Sequence, residues 1–119
     1  MRHREEMLTL GERQEAFMEL LPGLILKALE LGFKVRGGDL FRDPRAFGEI
    51  GEEGPYGSDN SEHKNKCAID LNLRKPGFGM VTKTEGHAEL GAWWEEQHEY
   101  CRWGGRYNDG NHYEFLKWR

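Results

Sequence analysis

The pattern of apolar and polar positions changes character several times along the 119-residue chain. From Thr9 onward, Phe17, Leu20, Leu21, Leu24, Ile25, Ala28 and Leu29 recur at spacings of three and four. That period predicts an amphipathic helix with the stripe turned to a core. Thr9-Leu10-Gly11-Glu12 has the T-x-x-E spacing of a capping box, in which hydroxyl and carboxylate satisfy free amides at a helix start. Pro22 falls inside the pattern and predicts a kink or two abutting helices, and Gly32 predicts a C-terminal stop. Residues 1–8 read as a loose leader.

Farther on the period shortens. Ala68 to Leu73 alternates, with Ile69, Leu71 and Leu73 on one side and Ala68, Asp70 and Asn72 on the other, as a half-buried strand requires. Phe33 to Phe41 reads as a strand broken by Gly37-Gly38, and Asp43 to Asn60, rich in Gly, Pro and acids, as a long loop. Pro76-Gly77 turns the chain. Thr84 to Glu99 predicts a second helix carrying Leu90, Trp93 and Trp94, with both indoles expected in the core. Trp103 to Trp118 reads as a Gly-rich turn followed by a strand over His112 to Leu116, in which His112 and Glu114 share a face. Helices and strands do not alternate regularly, so the fold class expected is α+β.

Length suits a single domain over residues 1–119. Charged residues make up 32% and mean hydropathy is −0.84, yet aromatics at 12% argue for a packed core over a disordered chain. The net charge of −4 argues against a dedicated nucleic-acid binder. No apolar run approaches the roughly 20 residues of a membrane span, and no secretory segment is evident at Met1, so synthesis in the cytoplasm is expected. Cys67 and Cys101 form neither a disulfide framework nor a CxxC knuckle, and Cys67 is expected as a buried free thiol.

The chemistry concentrates in two segments. His63 precedes Asp70, which lies on the polar face of its strand, and Asp109-Gly110-Asn111-His112 sets a carboxylate three residues before a second histidine. Two imidazoles and a carboxylate form a common three-ligand set for catalytic zinc, leaving a position for water whose pKa the metal lowers. A nearby carboxylate outside the ligand set then moves the proton to the leaving amine, and Asp109 has the position for this, with Gly110 expected to permit the tight turn. Glu114 is the other carboxylate on the His112 face, either supporting the ligand or acting as the base. A lone histidine is ordinarily structural, and His3, His87 and His98 take that reading.

Ser61, His63, Ala68 and Asp70 fall on the pattern S-x-H-x-x-G-x-A-x-D, and Asp109 and His112 on a later D-x-x-H. In these motifs the chain resembles the zinc peptidase family of D-alanyl-D-alanine carboxypeptidases and dipeptidases. Its phage members include L-alanyl-D-glutamate endopeptidase endolysins. Asp70-Leu71-Asn72-Leu73, Trp103-Gly104-Gly105 and Asn111-His112-Tyr113 extend the similarity, which runs from about Thr9 to Phe115. The resemblance implies a small antiparallel sheet flanked by helices, as in Hedgehog and DD-peptidase folds, with zinc in the cleft. It implies Zn2+ on His63, Asp70 and His112, catalysis by Asp109, and Arg42 on the substrate or the developing oxyanion, with Arg36 and Arg45 close by. Peptidoglycan stem peptides would be the partner of a monomer acting on the cell wall after release. A terminal D-alanyl-D-alanine bond is the alternative substrate, and a non-catalytic zinc module of the same fold the alternative function. Lys66 departs from the family pattern, which has Gly there.

Overall fold

The computed structural model describes residues 8–38 and 65–116. Over these the chain forms helix α1 (Leu10–Glu30), strands β1 (Lys34–Gly37), β2 (Ala68–Lys75) and β3 (Gly79–Met80), helix α2 (Ala88–Gln97), then β4 (Cys101–Trp103) and β5 (His112–Phe115). Short 3-10 turns precede α2 at Thr84–His87 and follow β4 at Gly104–Tyr107. The result is a small α+β unit, an antiparallel sheet with two helices.

Helix α1 begins where its capping box places it. The Thr9 hydroxyl accepts from the Glu12 amide at 3.2 Å, and the Glu12 carboxylate accepts from the Thr9 amide at 2.9 Å. It ends at Gly32, whose φ of 96° lets the amides of Gly32 and Phe33 reach back to the carbonyls of Leu29 and Ala28. Two abutting helices do not form at Pro22, because the element is continuous from Leu10 to Glu30. Pro22 and Met18 both face solvent, so water can take the hydrogen bond that the proline withholds from the Met18 carbonyl.

The sheet order is β1-β2-β5-β4, with every pairing antiparallel. Arg74 is paired with Lys34 of β1 and also with Met80 of β3, so β1 and β3 occupy opposite edges of β2. Strand β5 lies opposite β1 as well, and therefore shares an edge of β2 with β3. The two partners stop short of each other: the last bond on the β5 side joins the Leu71 amide to the Asn111 carbonyl, and the first on the β3 side joins the Val81 amide to the Leu73 carbonyl. The gap falls at Asn72.

One face of the sheet makes the core. Ile69, Leu71 and Leu73 of β2 and Tyr113 and Phe115 of β5 pack with Phe17, Leu21, Leu24 and Ala28 of α1 and Leu90 and Trp94 of α2. Trp94 is fully buried, meets Phe17 edge-on at 6.1 Å and donates to the Glu114 carbonyl, while Trp93 is partly buried at the margin. Cys67 and Cys101 are both buried and are not joined in a disulfide. Nowhere among the described residues is a helix long and apolar enough to cross a membrane.

Candidate metal centre and adjoining cleft

The other face of the sheet is polar, and strand register assembles it. Asp70 of β2 stands directly opposite His112 of β5. Side chains of residues paired in this way leave the sheet together, and the His112 Nδ1 comes within 3.3 Å of Asp70 Oδ1. Asp109 approaches the same ring edge, its Oδ2 4.0 Å from Nδ1. The opposite ring edge belongs to Glu114, two residues along β5 and so on the same face: Nε2 donates to its Oε1 at 2.6 Å. Glu114 is in turn held by Arg102 of β4, whose Nε and Nη2 each lie 2.7 Å from Oε2. The Arg102 guanidinium rests over the Tyr107 ring at 5.1 Å.

Charge follows this geometry. Burial acts to lower the His112 pKa, but hydrogen bonds to Asp70 and Glu114 and their negative charges overcome it and push it up to about 9. Burial likewise acts to raise Glu114, yet its bond to His112 and the nearby His112 and Arg102 charges hold it below the ordinary carboxylate range. Carboxylates thus flank both edges of one imidazole, tightly at Nε2 and loosely at Nδ1.

Close backbone contacts fix the loop that carries Asp109. Gly110 lies in the tight turn expected of it, which the His112 amide closes on the Asp109 carbonyl at 3.2 Å, while the left-handed residue of this loop is Asn108, at φ 58°. Gly110 is also needed for space. A Cβ there would stand 2.6 Å from the Thr84 Cα, where the two chain segments meet and the Gly110 amide donates to the Thr84 hydroxyl at 3.2 Å. A Cβ on Gly104 would similarly lie 2.4 Å from the Asp109 carbonyl oxygen and 2.9 Å from the His112 Cβ.

A cleft of about 390 Å³ opens beside Asp109, at the gap between β3 and β5. Met80 to Thr84 form one wall, Asn108 to Asn111 the other, and Asn72 and His87 contribute from below. His87, read from sequence as an ordinary structural histidine, is buried here with Nδ1 3.0 Å from the Tyr113 hydroxyl. Desolvation pulls its pKa down, against the Asp109 charge and a bond to the Val81 backbone. No sequence signal marked it as a cleft residue.

No protein-family model and no curated protein matches this chain. Its site therefore has to be read from its own geometry. Of the expected zinc set, Asp70 and His112 are brought together with Asp109 beside them, whereas His63, Arg42 and Ser61 lie outside the described residues. Among the described residues no group of three or more His, Cys, Asp and Glu is arranged to hold a metal ion. The two described donors nevertheless have suitable spacing. Ligand atoms at zinc distances of about 2.0–2.1 Å in a tetrahedron stand roughly 3.3–3.4 Å from each other. The Nδ1 to Oδ1 separation is 3.3 Å.

Proposed function

We propose that this chain is a zinc-dependent peptidase acting on peptidoglycan stem peptides, a phage endolysin that cuts L-alanyl-D-glutamate bonds. The observation that carries the reading is the Asp70–His112 pair, held at a zinc tetrahedron's edge length with the far side of the imidazole anchored by a buried carboxylate. Asp70 and His112 would hold the ion through Oδ1 and Nδ1, with His63 as the third ligand. The parts of His63 and Arg42 rest on the sequence resemblance alone.

Each described side chain then has a task. Bound there, zinc supplies Lewis-acid polarisation of the scissile carbonyl and the attacking water. Glu114 keeps a proton on Nε2, which directs the Nδ1 lone pair away from it and toward Asp70. Arg102 keeps Glu114 ionised and in place. Asp109 is outside the pair but beside it, and its side chain is 58% exposed, so water and substrate can reach it. It accepts a proton from the attacking water as oxygen bonds to the carbonyl carbon, then delivers that proton to the departing nitrogen as the C–N bond breaks. The products are a carboxylic acid and an amine.

Metal analysis of the purified protein should find about one zinc per chain, and His112→Ala and Asp70→Ala should each lose it. Mass spectrometry of peptidoglycan digested by the zinc-loaded protein should reveal new D-glutamyl N-termini. Full zinc occupancy in both variants would overturn the ligand assignment. Zinc binding without any new N-terminus would favour a non-catalytic zinc module, and release of terminal D-alanine the carboxypeptidase alternative.

A further inference from the structure

Strand β2 carries the Asp70–His112 pair near one end and a β-turn at the other, and the turn end has a charge of its own. Residues 31–38 and 71–84, which build it, hold five Lys or Arg and no Asp or Glu, in a chain of 21 acids and 17 bases. The turn is tightly made. The Phe78 amide donates to the Lys75 carbonyl at 2.9 Å across Pro76, whose ring fixes φ, and Gly77, at φ 86°. Phe78 follows with 83% of its surface exposed, and the Lys75 ammonium stands 5.5 Å from the centre of its ring. One residue back from Lys75, register sets Lys34 of β1, Arg74 of β2 and Met80 of β3 in a row across the sheet. Their side chains leave together on the face opposite buried Leu73, with Lys34 and Met80 exposed and Arg74 half-buried. Among the described residues the ion pairs of Lys and Arg lie elsewhere, at Lys27–Glu30, Arg102–Glu114 and Arg106–Glu95.

We propose that this end of the sheet is a docking surface for an anionic lipid bilayer, with Phe78 entering the boundary between headgroups and acyl chains and Lys34, Arg74 and Lys75 meeting the lipid phosphates. The spacing suits that task. The three cations stand within two residues of the turn, about 7 Å of strand rise, and interfacial apolar groups enter a bilayer by roughly 5–10 Å. A dissolved polyanion would engage the cations but offer the Phe78 ring nothing, so the exposed aromatic favours a membrane. At physiological salt charges are screened over about 8 Å, so the local cations decide the contact and the acids elsewhere in the chain count for little. The proposal is independent of the peptidase reading.

The test is co-sedimentation of the full chain, at physiological salt, with vesicles of phosphatidylcholine alone and of phosphatidylcholine with an equal part of phosphatidylglycerol. Binding should require the phosphatidylglycerol. Phe78→Ser should weaken it about tenfold, whereas Phe78→Trp should retain it, since both aromatics suit the interface. Lys75→Gln and Arg74→Gln should each weaken it about fivefold, the usual scale of one cation at an anionic surface. Arg106→Gln, which removes a charge from the turn after β4, should leave it unchanged. In Phe78→Trp, lipids brominated along their acyl chains should quench fluorescence more strongly than in the wild type, which reports entry of this side chain. Failure to bind phosphatidylglycerol vesicles, or equal binding to phosphatidylcholine, would overturn the proposal. Undiminished binding of Phe78→Ser beside a loss in Lys75→Gln would overturn it too, and would assign the cations to a dissolved polyanion.

Discussion

The two edges of the His112 ring lie in one strand pair and are built differently. At Nε2 the contacts are short and closed: Glu114 at 2.6 Å, itself gripped by Arg102 at 2.7 Å. At Nδ1 they are longer, with Asp70 at 3.3 Å and Asp109, which also lines the cleft, at 4.0 Å. Short, buried, charge-assisted bonds fix an orientation at the expense of freedom. Longer ones leave room for a further atom. A single histidine thus has one edge held by short contacts and the other by longer ones, and alternation along β5 produces the short ones by setting Glu114 on the same face two residues on.

Altering the Nδ1 side should have the largest effect. Asp109→Asn preserves shape but cannot accept a proton, so hydrolysis of peptidoglycan should fall by about 10²–10⁴ while zinc content stays at the wild-type level. If Asp109→Asn turns over normally and Glu114→Gln abolishes hydrolysis with zinc still bound, the roles of the two sides are exchanged.

On the closed side, Glu114→Gln removes the charge that holds the imidazole. Zinc affinity, measured by competition with a chelating dye, should fall by roughly 10–100-fold, the usual scale for loss of a ligand's outer partner. An unchanged affinity would show that the 2.6 Å contact does not orient the ligand.

The pH dependence of stability sharpens the comparison further. In protein stripped with chelator, the His112 pKa is raised from 6.5 to about 9, so its contribution is fully present below pH 6.5 and is lost as pH rises through about 9. Glu114 shifts the other way: its contribution is present above the ordinary value of 4.5 and is lost on acidification. Stripped protein should therefore show a Tm that declines between pH 6.5 and 9, followed by circular dichroism. Zinc-loaded protein should lack that decline, because metal binding requires the neutral ring. A flat profile in the stripped protein would mean that the two carboxylates do not clamp His112.

Much of the scaffold was legible because its signals are local. The Thr9–Glu12 box, the Gly32 stop and the alternation of β2 each depend on residues within one turn or one strand. Strands β3 and β4 were not legible. They span only Gly79–Met80 and Cys101–Trp103, and both are defined by the strands they pair with, not by periodicity of their own. At the site, spacing showed that Asp70 and His112 are candidates, but only register could show them opposed. Arg102 carries no motif and acquires its role through pairing with Glu114 across β4 and β5. The turn at Gly110 was legible, but its close approach to Thr84 was not, since a neighbour across space cannot be read from nearby sequence. Lys66, which stands where the motif the sequence resembles has glycine, adopts the left-handed φ of 62° that a glycine would take without strain.

The shared edge of β2 has a consequence for how such a protein can diversify. The segment that crosses from Val81 to Thr84 is anchored at both ends, by the Leu73 carbonyl and by Gly110, and is not itself part of a ladder. Residues exchanged at Thr82 and Lys83 alter the lining of the cleft without shifting the register that opposes Asp70 and His112. Under the proposed function, selectivity and reactivity would be carried by separable stretches of chain, so that a library confined to two adjacent codons could retune what is recognised and leave the chemistry as it stands.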